Sequence, residues 1–475
     1  MIDFLEERIQ SFRPLFARER TFKWFVLLIL SFILREDHLG VTSAVRTLLL
    51  NGRQYPTILH NFRSDGYDNT AVRKHWYSEV LKSAPLLRIA DRVVLVGDDV
   101  KQSKEGYYMP GVQKHHQDSE DSSKGAFIYG HLFGAVGVVV QKNLQAFCLP
   151  LKARIHVGVK EAAYWHESTI SPRSSTVQMI EDAFECTQTL GAAILLLDRY
   201  FLSIPTLRRL AELNEAAGST LLSVVTKAKK NIRAYEKPVV SSVVRRGRPR
   251  KKGAPVNLST LFETASFTRT EAVMYGETDT VEYYMRDLLW GTGLYQELRF
   301  VLVKYDGMQS ILVSTDLSLD PVTIIELYAH RFKIESMFRE FKQQLGGFGY
   351  HFWTKSIGKL NHFRKTGEPD ELSKVTSARD RENVLKTIDA TERFVMIGCI
   401  AMGLIQMLIL REPEPERIRA IRYTRTATFG KVSEATLIYY LQRTLLLDLA
   451  TRPTSMLNRY IQQARGVDKD IKMAG

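Results

Sequence analysis

Two short runs made almost wholly of apolar residues, 93–97 (Val-Val-Leu-Val-Gly) and 193–197 (Ala-Ile-Leu-Leu-Leu), each give way directly to an aspartate, Asp98 and Asp198. Runs of this length and composition read as strands buried on both faces. Such strands belong to sheets covered by helices. The two carboxylates then lie at strand ends, which are rigid and face a shared edge where ligands gather. An Asp after a strand also opens ordinary turns, so neither residue settles a function by itself.

Around these runs the texture of the chain divides. Residues 1–90 carry apolar side chains at helical spacing, through Phe12, Leu15 and Phe16, then 22–34, then 41–50, with a break at Gly40. No strand alternation appears there, which predicts a small helical domain. From Asp91 onward, strand candidates at 93–97, 126–129, 136–140 and 147–157 are separated by polar, Gly-bearing stretches. A helix carrying Val177, Ile180, Phe184 and Leu190, the run at 193–197, a helix from Pro205 and a strand at 221–225 follow. Strand signals return at 298–305 and 310–315, and the chain after Lys386 reads as helical. Strands first, then strands alternating with helices, predict an α/β class with a mixed sheet. At 475 residues and 45% hydrophobic, the chain has enough apolar surface for several domains.

Two apolar stretches bear on a membrane reading. Residues 22–34 contain Lys23 and residues 394–410 contain Gln406, and both fall short of the ~20 residues a span needs, so both are expected to be core helices. Three widely spaced cysteines (Cys148, Cys186, Cys399) suit a reducing compartment, and the acidic start, with Asp3, Glu6 and Glu7, does not read as a signal peptide.

The net charge is +14, and much of it is concentrated. Residues 227–252 hold eleven Lys or Arg against the single acid Glu236, among them Lys227, Lys229, Lys230, Arg245, Arg246, Arg248, Arg250, Lys251 and Lys252. Such a footprint favours a nucleic-acid partner. Its Gly-Arg-Pro core at 247–249 has the composition of a minor-groove hook, although phosphate binding needs only the charge. His115, His116 and His131 lack Cys or His partners at the spacing of a tetrahedral zinc site.

A third carboxylate joins the first two. Asp320 suits a helix N-cap, Pro321 the first helical position, and Gly346 and Gly347 a stop, which predicts one long helix between them. At ~100° per residue, Tyr328, Arg331, Glu335 and Lys342 fall within about 60° of one another, alongside a stripe of Leu327, Ile334, Phe338, Phe341 and Leu345. The face could equally be a solvated one laced with Glu–Arg and Glu–Lys pairs.

The spacing Tyr-x2-Arg-x3-Glu-x6-Lys (Tyr328, Arg331, Glu335, Lys342) resembles the signature of bacterial insertion-sequence transposases with a DDE catalytic core. Asp98-Asp99-Val100 with Lys104-Glu105-Gly106, Leu197-Asp198-Arg199-Tyr200-Phe201, Ser314-Thr315-Asp316-Leu317 and Phe352-Trp353 resemble its other blocks, over about residues 20–450. Val100 stands where that group commonly has Thr, which leaves Asp98 or Asp99 as the first acid; Asp98, first after the strand, is preferred.

The resemblance implies an RNase H-like α/β core in which Asp98, Asp198 and Glu335 are both the catalytic residues and the ligands of two Mg²⁺ ions, with Mn²⁺ able to substitute. It places Tyr328, Arg331 and Lys342 against DNA, and assigns terminal-repeat binding to the N-terminal helices with Arg46, Arg53, Arg63, Arg73 and Lys74. The implied partners are double-stranded DNA, both element ends and target, and a second copy of the chain when DNA is bound; no membrane is implied. The implied setting is the bacterial cytoplasm, nucleoid-associated when bound. The resulting organisation is a helical DNA-binding domain (1–90), the first part of the core (91–226), a basic loop and β-rich insertion (227–316), core completion with the Glu helix (317–365) and a helical C-terminal domain (366–475). Trp290 in the insertion reads either as a support for a flipped base or as a packed core residue, and Asp316 as a reserve ligand. The rival readings are a DNA-binding regulator with an inactive site and an RNase H-like nuclease that never transfers strands.

Overall fold

The computed structural model describes residues 1–117, 125–143, 145–238, 250–361, 364, 368–411, 415–423 and 430–466. The apolar runs form the strands expected of them. β1 (Arg92–Ser103), β2 (Phe127–Lys142), β3 (Gln145–Ile155), β4 (Ala193–Leu197) and β5 (Leu222–Lys227) lie in the order β3-β2-β1-β4-β5. β1 pairs antiparallel with β2 and β2 with β3, while β4 and β5 run parallel to β1. This is the mixed sheet of an RNase H-like α/β core. The helices α4 (Ser175–Leu190) and α5 (Ile204–Ala216) supply the crossovers that parallel pairing requires.

Four further strands extend the same sheet: β6 (Thr268–Met274), β7 (Glu277–Trp290), β8 (Gln296–Tyr305) and β9 (Met308–Ser314). They form an antiparallel meander whose last strand, β9, pairs with β5. The backbone ladder therefore runs unbroken from the core strands into residues 268–314.

Two expectations about β1 and β2 need correction. β1 does not end at Gly97. Its parallel ladder with β4 stops at Val96–Leu196, but its antiparallel ladder with β2 continues through Asp98–Ala135 and Asp99–Gly134 to Ser103–Gly130. The apolar run ends where the strand loses one neighbour, so Asp98 stands beside a free sheet edge. The candidates at 126–129 and 136–140 are one 16-residue strand, β2. Its glycines mark close approaches and no turn: a Cβ on Gly130 would lie 1.9 Å from the Gln102 carbonyl oxygen, and one on Gly134 1.8 Å from the His156 ring.

The helical segments wrap this sheet. α1 (Glu19–Leu34), α2 (Tyr55–Arg63) and α3 (Asn69–Ser83) come from the N-terminal region. The stretch 394–410 lies in α8 (Ala378–Arg411), a 34-residue helix whose apolar half is wholly buried inside the fold. Phe394 meets Phe32 of α1 with ring centroids 4.9 Å apart, and a Cβ on Gly403 would lie 2.3 Å from the Trp76 ring of α3. Gln406, the polar residue in that stretch, donates to the Cys148 carbonyl of β3 at 3.1 Å. Helices from both ends of the chain thus share one apolar core with the sheet. The three cysteines are buried and unpaired.

Asp320 caps its helix as expected, accepting from the amides of Val322 and Thr323, with Pro321 in the first turn. The single long helix does not form. α6 (Pro321–Ala329) passes through a 3₁₀ turn at His330–Phe332 into α7 (Lys333–Gln343). Three residues per turn replace 3.6 there, which rotates the second helix relative to a straight one.

Candidate active site

Each acid predicted from sequence arrives on a different element. Asp98 lies on β1 and Asp198 follows β4 directly. Glu335 opens α7. Gly97, just before Asp98, lets α4 and β4 close over the strand, because any Cβ there would lie 2.7 Å from the Met179 sulfur and 2.9 Å from Leu197. The Asp198 backbone is fixed by Thr226, whose hydroxyl donates to its carbonyl at 2.9 Å.

Arg331, on the 3₁₀ turn, joins two of the three. Its guanidinium donates to Asp98 at 2.5 Å and pairs with Glu335 one helical turn on. Burial pushes the Asp98 carboxyl up to about 7, outweighing the pull of Arg331 and of the Asp99 amide, and the charges of Asp99 and Asp198 push the same way. Tyr328 is largely buried nearby, and burial together with Asp98 and Asp198 holds its hydroxyl protonated well above the usual range, against the pull of Arg331. Lys342 lies farther along α7, where its ammonium donates to the Lys101 carbonyl of β1 at 3.2 Å. Burial lowers its pKa. Of the expected line of four, Arg331 and Glu335 meet directly, Tyr328 sits behind them and Lys342 reaches the strand beyond Asp98.

Successive strand residues point to opposite faces. Asp99 accordingly turns away from Arg331 to a buried cluster that sequence reasoning did not identify. Its Oδ1 lies 3.6 Å from Nδ1 of His156, whose Nε2 is 2.8 Å from Asp182. Asp182 also pairs with Lys152 and Arg154, each at 2.8 Å. Glu185 binds Lys152 at 2.5 Å and Arg73 at 2.9 Å. Burial alone would raise the Asp182 pKa, but Lys152, Arg154 and His156 hold it well below the carboxylate range. For His156, burial pulls the pKa down, and the hydrogen bond to Asp182 with the charges of Asp182 and Asp99 outweighs it and raises it. The only sequence signal for this cluster was a pair of bases on β3, Lys152 and Arg154, within an otherwise apolar strand.

The remaining candidates separate. Lys227 ends β5, and Lys229 and Lys230 are exposed just after it. Arg250 and Lys251 are exposed, and the Lys252 ammonium sits 3.8 Å from the centre of the Tyr235 ring. Arg245, Arg246 and Arg248, with the rest of 239–249, lie outside the described residues. Arg73 belongs to the buried cluster and not to an N-terminal surface. Arg46 pairs with Asp37, and Arg63 donates to the Trp353 carbonyl at 2.8 Å. Asp316 is held by Arg92 at the start of β1, roughly 20 Å from Asp98 at ~3.3 Å per residue, which removes it as a reserve ligand. His131 is fully committed within the core, to Tyr350 at 2.6 Å and to the Pro110 carbonyl at 2.8 Å. Trp290 packs against the apolar cluster formed by β7–β9.

Among the described residues, no three Asp, Glu, His or Cys side chains stand close enough together to form a ready-made metal cluster. Asp98, Asp198 and Glu335 nevertheless fit a hard divalent cation by their chemistry. All are oxygen donors, two already share the cationic Arg331, and the charge of Asp198 raises the pKa of Asp98.

Compared with known protein families, residues 169–352 match the family described as the transposase DDE domain. The matched stretch contains Asp198 and Glu335 and begins after Asp98. No curated protein matches the chain.

Proposed function

We propose, from the match of residues 169–352 to the transposase DDE domain, that the chain cuts the ends of an insertion sequence and joins them to new DNA, with Asp98, Asp198 and Glu335 as its catalytic acids. The observation that carries this reading is Arg331, which pairs with Asp98 and Glu335 from two separate elements while Asp198 acts electrostatically on Asp98. Asp98 takes the role in preference to Asp99, whose carboxylate faces His156.

The three acids would hold divalent cations, Mg²⁺ with Mn²⁺ able to substitute. Two such ions supply charge stabilisation to the attacking and leaving oxygens of an in-line phosphoryl displacement. The chain's own groups do the rest. Arg331 and Lys342 would neutralise phosphate oxygens, and an Arg331 turned to phosphate would leave the carboxylates of Asp98 and Glu335 free to hold the cations. Tyr328 stays protonated at neutral pH and donates a hydrogen bond. In the first step a water oxygen attacks phosphorus and the bond to the 3′ oxygen breaks, leaving a 3′-hydroxyl and a 5′-phosphate. In the second that hydroxyl attacks a target phosphodiester, so one P–O bond forms as another breaks. The basic residues Lys227, Lys229, Lys230 and 245–252 track the DNA backbone. Two element ends call for two copies of the chain, acting in the cytoplasm on nucleoid DNA.

The test is a Mg²⁺-dependent cleavage and joining assay on the element's own ends, comparing wild type with Glu335→Gln. Both reactions should vanish in the variant while DNA binding persists. Binding without either reaction in the wild type would mark a regulator, and cleavage without joining a nuclease.

A further inference from the structure

A cavity of about 700 Å³ lies between the first turn of α1 and one flank of α2, and shares no lining residue with the acid cleft. Arg18, Arg20, Trp24, His60 and Asn61 line it. Trp24 and Asn61 are only 4% and 5% exposed, yet the indole N–H of one and the amide NH₂ of the other have no hydrogen-bond partner. A buried donor left without an acceptor keeps the whole cost of its lost water, so two on one cavity point to an acceptor that arrives from outside.

The helix above them makes the same demand. Arg18 holds the N-cap position of α1 and makes no capping bond. The amides of Thr21 and Phe22 both turn back to the Arg18 carbonyl, while those of Glu19 and Arg20 have no partner among the described residues. The Glu19 carboxylate, which would otherwise serve, is taken by Arg13 and Tyr460. Neither Arg18 nor Arg20 has a carboxylate partner among the described residues, and both are exposed. The one acid on the cavity wall, Asp65, is 86% exposed and leans to Lys386 at 3.8 Å. Free amides at a helix N-terminus, two guanidiniums and two buried donors together match an anion with several oxygens.

We infer that this cavity binds a backbone phosphate of duplex DNA, an inference that rests on the proposed transposase reading. Arg63, at the end of α2, bonds the Trp353 carbonyl in the loop that follows α7. A phosphate seated on α1 and α2 therefore fixes DNA relative to the element that carries Glu335.

The experiment uses the full chain with ¹⁵N-labelled tryptophan and a 20-base-pair duplex oligonucleotide, with inorganic phosphate as a separate probe. The Trp24 indole signal, assigned with Trp24→Phe, should shift when duplex is added. Arg18→Glu/Arg20→Glu, both at exposed positions, should abolish the shift, weaken duplex binding at least tenfold, and reduce the salt slope by about 1, the scale of one lost phosphate contact. Asn61→Asp, nearly isosteric, should weaken binding in the same direction. A motionless Trp24 signal, or unchanged affinity and slope in the double variant, overturns the inference. A shift with phosphate and none with duplex also overturns it, leaving a free-anion site. Loss of cleavage and joining in the wild type would sink the transposase reading without touching these binding measurements.

Discussion

On one side of β1, Arg331 pairs with Asp98 and Glu335 while Asp198 acts on Asp98 through its charge; on the other, Asp182 and Glu185 meet Lys152, Arg154, Arg73 and His156. The two clusters are separated by a single step along the strand, from Asp98 to Asp99. Their acids are driven in opposite directions, Asp98 up to about 7 and Asp182 well below its usual range. Burial acts the same way on both, so the number of cations in contact decides the sign. A cluster saturated with internal cations has no need of an external one. A cluster that shares one arginine is left short of positive charge, the condition under which the proposed cations would bind.

The comparison can be broken most severely at Asp182. Asp182→Asn leaves Lys152, Arg154 and His156 buried without their shared anion, and should cost about 3–5 kcal/mol in urea unfolding. Retention of wild-type stability would mean that the cluster is not saturated. Asp98→Asn should do the reverse. Cleavage should fall by roughly 10²–10³, the scale of losing an electrostatic stabiliser, while the thermal midpoint holds or rises because a repelled charge is gone. A lower midpoint would show that Asp98 is held as favourably as Asp182.

His156 gives a smaller effect with a pH signature. Its folded pKa is raised, so the stability it contributes is complete below the unfolded value near 6.5 and is lost as pH rises through the folded value. His156→Gln should cost about 1–2 kcal/mol at pH 6 and flatten the fall of stability above it. An unchanged slope in the variant would assign the pH dependence to other groups. Glu185 is a quarter exposed, and Glu185→Gln should cost less than about 1 kcal/mol. A larger loss would extend the saturated cluster to its solvent edge.

The placement of Asp98 and Asp198 beside core strands was legible because an apolar run broken by Asp is a local pattern, and the α/β class followed from the same runs. The Asp320 cap and the burial of 394–410 were legible for similar reasons. The turn at His330–Phe332 was not, since it contains neither Gly nor Pro and the apolar spacing continues across it. The length of β1 was hidden because its polar half, 98–103, is held by backbone pairing with β2. The cluster behind Asp99 left only the two bases on β3 as a trace, for a different reason. Lys152, Arg154 and His156 are far in the chain from Asp182 and Glu185, and only the fold brings them together. The cavity of Trp24 and Asn61 is likewise a property of two helices facing each other.

The long helix α8 has a consequence for how the molecule is made. Its apolar half covers α1, α3 and β3, yet it is synthesised after all of them. Until a ribosome passes residue 411, the sheet that carries two of the acids has an uncovered oily flank, and the growing chain needs shelter by a chaperone or rapid completion. Termination anywhere before that point should yield insoluble polypeptide, even when every residue of the acid cleft has already been translated.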